Sequence, residues 1–230
     1  MTRTLYDLTG ANDLRFSPNC WRSRMALAHK RLEVDCEPCR FTEKEKIAFS
    51  GQTRVPVLRD GDTVVSDSWE IACYLEDAYP DRPSLFGGPE GRGATRLINE
   101  WANAALHPGL IKVILYDVFT AIDPADRDYF RETREKRFGM TLEAIGEKSD
   151  ESLATFRDVI RPLDATLADQ TYICGEAPAY GDYIVFGAFQ WARACSDKAI
   201  LTADQPLYAW RERMLDLFDG LARQVPARGG

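Results

Sequence analysis

The sequence predicts an α/β unit followed by an all-α helical bundle, and three observations carry that prediction. Strand and helix signals alternate over the first third of the chain. Within that third, Thr53-Arg54-Val55-Pro56-Val57-Leu58 enters a strand through a proline and turns at Asp60-Gly61 into Thr63-Val64-Val65-Ser66. From Ala94 onward, apolar residues recur only at three- and four-residue steps, the period of an amphipathic helix.

Taken in order, Thr4 to Leu8 reads as a short strand and Pro18 to Arg31 as a helix with Trp21, Met25 and Leu27-Ala28 on apolar faces. Glu33 to Phe41 reads as a second strand. Pro56 cannot donate to a ladder, so it belongs at a strand's first position or edge, after a cis bond that turns backbone groups outward where a peptide can pair with them. Asp60-Gly61 closes a hairpin. Asp67-Ser68 then opens a helix, Trp69 to Ala78, whose first amides carry a partial positive charge suited to a carboxylate. A βαβ half, a connector and a ββα half make the thioredoxin-like order. Pro80, Pro83 and the run Gly87-Gly88-Pro89-Glu90-Gly91 mark its end.

In the bundle, Leu97 to Ile122 forms a helix kinked at Pro108, after His107. Asp126 to Ile145 reads as one charged helix, Leu153 to Leu167 as a third, Tyr183 to Ala194 as a nearly all-apolar buried fourth, and Leu207 to Leu221 as a fifth. The organisation expected is therefore a thioredoxin-like domain over 1–84, a linker over 85–93, an all-helical domain over 94–225 and a disordered tail over 226–230.

Bulk properties narrow the partners. A net charge of −7 over 230 residues repels nucleic acid and anionic membranes at long range. Met1 to Gly10 has no basic start followed by an apolar run, and no window approaches ~18 apolar residues, so neither export nor a membrane span is expected and the cytoplasm is the expected compartment. Six scattered cysteines with two histidines suit neither a disulfide framework nor a zinc site, so no metal is expected. Cys36-Glu37-Pro38-Cys39 has redox spacing but lies in a strand, away from a helix start that would lower a thiol pKa.

Several residues can do chemistry. Ser17 is an N-cap with Pro18 at the first helical position; a hydroxyl fixed there can equally donate to a thiolate and raise its nucleophilic fraction. Asn19 is a rival amide donor at the same mouth. Cys20, one turn into the helix, reads as a small buried hydrophobe or as a reactive thiol. Asp67 and Ser68 are helix caps or ligand contacts. Lys44, Lys46, Gln52 and Arg54 lie upstream of Pro56, as solvated surface groups or as partners for a carboxylate. Asp182, in Pro178-Ala179-Tyr180-Gly181-Asp182, reads as a helix-start hydrogen-bond acceptor rather than a catalytic group.

The set Ser17-Pro18, Val55-Pro56, Asp67-Ser68 and Asp182, spread over nearly the whole chain, resembles the glutathione transferase superfamily. The resemblance implies that glutathione is the co-substrate. The Val55-Pro56 peptide would pair with its cysteinyl backbone, Asp67 and Ser68 would hold its γ-glutamyl group, and Lys44, Gln52 and Arg54 would meet its glycyl carboxylate. Ser17 would activate the thiol. Relatives carry Glu or Gln where this chain has the shorter Asp67, and glutaredoxin-like relatives carry a second cysteine at the position of Cys20.

Three longer runs, Cys20 to Lys30, Arg40 to Lys44 and Tyr129 to Gly139, look like the branch holding bacterial lignin β-etherases and related fungal transferases that bind aromatics. That implies a small hydrophobic aromatic partner. Its half-site is expected from the loop Thr9 to Phe16 and the first two bundle helices, at Phe16, Leu115, Tyr116 and Phe119. Glutathione thiolate would attack an apolar aromatic electrophile, including an aryl ether. The alternatives are a binding protein of low turnover and a glutathione-dependent thiol oxidoreductase working through Cys20. A homodimer is the expected assembly.

Overall fold

The structure is a computed structural model and describes residues 3–228. Its first part is a four-stranded sheet in the order β2-β1-β3-β4, built from β1 (Arg3–Leu8), β2 (Asp35–Cys39), β3 (Val57–Asp60) and β4 (Thr63–Ser66). β1 runs parallel to β2 and antiparallel to β3, and β3 runs antiparallel to β4 with Asp60 opposite Thr63. The hairpin loop is thus Gly61-Asp62, one residue later than the Asp60-Gly61 signal places it. Pro38 stands in β2 opposite Asp7; β2 is an edge strand, so the missing N–H breaks no ladder. Helices α1 (Pro18–His29) and α2 (Ser68–Ala78) cover the sheet, and the Val55–Pro56 bond is cis.

The second part is all-helical: α3 (Pro89–Trp101), α4 (His107–Ala121), α5 (Arg127–Phe138), α6 (Leu142–Glu147), α7 (Ser149–Asp169), α8 (Tyr180–Cys195) and α9 (Pro206–Gly220). A thioredoxin-like unit followed by a helical bundle is the fold class expected.

Four expectations need correction. The kink expected at Pro108 is a wide π turn over Ala102–Leu106 that joins α3 to α4; the widened turn takes up the proline's missing donor. The resulting run Pro89–Ala121 has a mean hydropathy of 1.2 over its most apolar 18 residues, so by length and composition it could span a bilayer. A core helix has the same composition, and here Leu106, Leu110 and Ile114 are fully buried. The single charged helix expected over Asp126 to Ile145 is two: Gly139 ends α5 at φ 66° and Thr141 Oγ1 accepts from Ala144 N to cap α6. A polar stretch carries no periodicity across such a break. The tail expected to be disordered from 226 is held at Arg228, whose guanidinium donates to Asp117 O and Cys195 O; residues 229 and 230 lie outside the described residues.

α8 is the axis of the fold. It is buried from Tyr180 to Gln190. Asp182 holds its start: Oδ1 accepts from Ile173 N and Trp210 Nε1, and Oδ2 from Ala179 N and Cys174 N. A carboxylate with four donors can stay buried. Halfway along, Gly187 faces the first turn of α1, and a Cβ there would stand 2.3 Å from Pro18 O. Only glycine lets the two helices approach so closely.

Gly187→Ala is therefore expected to push α1 off α8 and cost about 1–3 kcal/mol, the range of core overpacking. Urea unfolding at a constant m-value reads this as a lowered midpoint; an unchanged midpoint would show that the helices have room to separate.

Candidate functional site

The close approach of α1 to α8 fixes the loop before α1. Trp21 Nε1 donates to Arg15 O at 2.9 Å, tying that loop back to the helix. Ser17 then caps α1: its Oγ accepts from Cys20 N at 3.3 Å, with Pro18 in the first turn. Because a hydroxyl that accepts there keeps its own proton, Ser17 still has a hydrogen bond to give. It lines a cavity of about 440 Å³ together with Asn19, Lys44, Arg54 and Val55. Five of the expected site residues thus meet in one place.

A second cavity, of about 300 Å³, adjoins the first, and both share Leu8, Asn19, Phe41, Arg134 and Arg137. Phe16, Ile111, Leu115, Val118 and Phe130 supply its apolar lining, beside Asn103, His107, Arg134 and Arg137. Between the two stands Phe41, near Phe16 at 6.2 Å and Phe130 at 5.6 Å between ring centroids. Asp126, fully buried ahead of α5, fixes that wall. Its carboxylate accepts from Phe41 N at 3.0 Å, Thr42 N at 3.1 Å and Thr42 Oγ1 at 2.7 Å, joining the sheet unit to the bundle.

The cleft is cationic. Lys44 lies over the Tyr129 ring at 4.9 Å, and Arg134 over Phe130 at 4.4 Å and Phe41 at 5.0 Å. Burial, with Arg137 and Arg54 nearby, pulls the Arg134 guanidinium down from its ordinary value. One acid, Glu43, lines the first cavity, and it is bound to Arg40 and Lys46; the hydrogen bond from Arg40 N holds its carboxyl below the usual range. Among the described residues, no ion pair engages Lys44, Arg54, Arg134 or Arg137.

Other expected residues lie elsewhere. Cys20 is fully buried, and burial next to Asp7 pushes its thiol well up, so it cannot present a thiolate. Cys39, behind the first cavity, is pushed up to about 11 by burial. Asp67 uses Oδ1 to accept from Trp69 N at 2.8 Å and Glu70 N at 3.4 Å, capping its own helix. Ser68 is buried, and its carbonyl accepts from Tyr180 OH at 2.5 Å. Asp67 N donates to Pro56 O at 3.3 Å, which seats α2 beside Pro56. Pro56, Asp67, Ser68 and the exposed Gln52 border the site without lining the cavities.

Tyr116 and Phe119 also miss the apolar cavity. α4 and the turn before it present a stripe at Asn103, His107, Ile111, Leu115 and Val118; Tyr116, ~100° around the helix from Leu115, packs toward Gly146 instead. Phe119 stacks behind Phe130 at 6.3 Å, under Arg131 at 4.8 Å.

The sequence reading missed Phe41, Tyr129, Thr133, Arg134 and Arg137 as lining residues. A signal existed: Phe130, Thr133, Arg134, Arg137 and Phe138 follow steps of three, one, three and one, a helical stripe in which arginines occupy the inner face.

A thioredoxin-like unit and a helical bundle that share a cleft beside a helix-capping hydroxyl define a class of two-part folds for small ligands. Within that class the chain belongs to the glutathione S-transferase family. Residues 94–214 match the family model of the glutathione S-transferase C-terminal domain and residues 13–83 that of the N-terminal domain. Glutathione S-transferase U28 of Arabidopsis thaliana is similar at 23% identity over 211 residues, 89% of this chain and 83% of the relative. A zeta-class glutathione S-transferase of Euphorbia esula is 36% identical over 76 residues, 30% of this chain and 34% of its own.

Among solved structures, the fold is similar to glutathione transferase GSTFuA2 from Phanerochaete chrysosporium, with a TM-score of 0.77 and 25% identity, covering 98% of this chain and 95% of that one. It is also similar to CsGST63524 of Ceriporiopsis subvermispora, solved in complex with glutathione, with a TM-score of 0.84 and 23% identity over 95% and 97% of the two chains.

Behind the apolar cavity, Arg22 is buried without an acid. It donates to Asn99 Oδ1 at 3.1 Å, Asn103 Oδ1 at 3.4 Å and His107 Nε2 at 3.2 Å. A guanidinium only donates, so His107 accepts at Nε2 and carries its proton at Nδ1. Burial, then Arg22, holds the imidazole pKa down at about 3, below the ~6.5 of an unfolded histidine. Its neutral form is therefore the folded form. The associated stability is present above pH ~6.5 and is lost as pH falls toward the folded value. His107→Gln is expected to flatten stability against pH between about 6.5 and 4, by at most ~1.4 kcal/mol per pH unit, the slope for one proton. Urea titrations at several pH values test this; identical slopes in both proteins would remove His107 as the group that binds the proton.

Proposed function

We propose that this chain is a glutathione transferase in which Ser17 stabilises the glutathione thiolate for attack on an apolar aromatic electrophile, aryl ethers among them. The observation that carries the reading is the Ser17 hydroxyl: it caps α1 by accepting from Cys20 N, lines the larger cavity and keeps its own proton free to donate. Its support is the family to which the chain belongs.

In this reading glutathione lies in the larger cavity with its glycyl carboxylate toward Lys44 and Arg54 and its backbone beside Val55. Its γ-glutamyl group reaches toward the start of α2 at Ser68, with Asp67 contributing mainly as the cap that shapes that start. The sulfur comes to the Ser17 and Asn19 end, where the apolar cavity opens. It attacks an electrophilic carbon, a C–S bond forms, and the aryloxide or halide leaves with the bonding pair while the thiol proton passes to solvent. Rate comes from proximity and from a hydrogen bond that strengthens as the thiolate forms. The β-etherase and fungal aromatic-binding branch is the part of the family we favour, on Arg40 to Lys44 and Tyr129 to Gly139, both of which include cleft-lining residues. The cytoplasm is the compartment we assign.

The burial of Cys20 disfavours the thiol-oxidoreductase reading. A binding protein of low turnover is the surviving alternative, and Ser17→Ala separates it from the enzyme. Conjugation of a model aryl halide is expected to slow by roughly ten- to a thousandfold, the range for one lost hydrogen bond to a developing anion, with glutathione affinity little changed. Loss of the cap costs about 1 kcal/mol of stability, so folding is checked in parallel. Turnover unaltered in a folded variant would remove Ser17 from the mechanism.

We also propose a homodimer. Leu97, 74% exposed on α3, and Phe49, 47% exposed beside the sheet, leave large apolar surface open to solvent. Light scattering at tens of micromolar is expected to give twice 26.0 kDa; a monomer mass there would defeat the proposal.

A further inference from the structure

We infer that the aromatic co-substrate carries a carboxylate, and that Arg134 and Arg137 receive it. The inference rests on the glutathione reading above and narrows its second substrate to a chemical class.

Position comes first. Arg134 and Arg137 line both cavities, so they stand where the peptide cavity opens into the apolar one. Arg134 is held in place over the Phe130 and Phe41 rings and donates to Thr133 Oγ1 at 2.7 Å. Neither arginine has an ion-pair partner among the described residues. Arg134 is half-buried, and one hydroxyl and two ring faces replace only part of the hydration it has lost, while Arg137 beside it is exposed and open to the same ligand. An arriving carboxylate supplies what is missing, in a bidentate geometry to which guanidinium is suited.

The wall of the apolar cavity gives an independent reason. Asn103 Oδ1 and His107 Nε2 face Arg22, which uses both as acceptors. What remains for the cavity is the Asn103 amide and the His107 Nδ1 proton. Among the described residues, no aspartate or glutamate lines this cavity. A wall of donors fits a group that only accepts, which describes a carboxylate and excludes an ammonium. The volume, about 300 Å³, suits one substituted ring. In the proposed glutathione pose both of that ligand's carboxylates already have partners at Lys44 and Arg54 and at the start of α2, so the two arginines are surplus to it.

The test compares two conjugates that share the glutathione part. Calorimetry on the full-length protein measures S-(4-carboxybenzyl)glutathione against S-benzylglutathione. Wild type is expected to bind the carboxylated conjugate at least about tenfold more tightly, the effect of one charge-assisted contact. In R134Q/R137Q that ratio is expected to fall to within about twofold, and the single exposed-site variant R137Q is expected to lie between. Raising the salt on wild type from about 20 to 500 mM should shrink the same ratio, which needs no variant to fold. Equal affinities in wild type, or a ratio unchanged in R134Q/R137Q, would overturn the inference. If free glutathione binds while the conjugates are equal, this inference alone falls; if neither conjugate nor glutathione binds wild type, the glutathione reading falls and takes it along.

Discussion

Helix α1 can come no closer to the bundle than Gly187 of α8 allows, and the whole cleft is laid out from that contact. α1 belongs to the sheet unit and α8 to the bundle, so the Gly187–Pro18 approach sets how the two halves meet. Ser17 sits one residue before that contact and Asn19 one residue after it. A side chain at 187 would displace the hydroxyl together with the helix start that orients it. The buried Asp182 network holds α8 rigid beneath, and Asp126 closes the opposite side by gripping Phe41 and Thr42. Two buried carboxylates, each saturated by donors, therefore do the positioning. Both are apart from the chemistry.

The charge pattern runs against the composition. The chain as a whole carries −7, yet the cleft collects Lys44, Arg54, Arg134 and Arg137 with its one acid already engaged. Like charges brought together in a partly dry cleft repel, and the fold keeps them because each gains something local. Arg134 gains two ring faces, Lys44 one. Those contacts hold the cations without neutralising them, which leaves the field available to an anion. An acidic outer surface around a basic cleft also favours entry of anions at that point over loose binding elsewhere.

How much of this was legible in the sequence follows from which interactions are local. The βαβ-ββα order, the Pro56 strand entry, the Ser17-Pro18 helix start and the apolar fourth bundle helix were readable because propensity, capping and periodicity act within a few residues. The split between α5 and α6 was not, because a charged surface helix carries no burial pattern to interrupt. Tyr116 and Phe119 show a second limit: Leu115 and Phe119 are both apolar at helical spacing, and only the placement of Phe130 decides which of them faces the cavity. Asp67 shows a third. Its residue type serves a cap and a ligand equally, and the turn at φ 75° gives one of its oxygens to the backbone of α2. Arg134 needed tertiary information of another kind, since an arginine on an inner face reads as a solvated surface charge until its ring partners, 89 residues apart at Phe41 and Phe130, are brought together.

Ser17 and Cys20 show how one helical turn assigns opposite roles to two groups of similar size. Both lie in the first turn region of α1, and both are close to an amide-rich helix terminus that favours negative charge. Cys20 points inward, fully buried beside Asp7, and there burial and a neighbouring carboxylate outweigh the helix terminus and keep the thiol protonated. Ser17 points to the cavity, where its Oγ accepts from Cys20 N and keeps its own proton. Cys39, the other thiol at the cleft, is also pushed up by burial, to about 11. A thiolate near Ser17 at neutral pH therefore has to arrive with a ligand. In the proposed reading, the protein's part is to present a neutral donor at the end of a helix, with Asn19 beside it, where a sulfur carrying that charge would be held facing the apolar cavity.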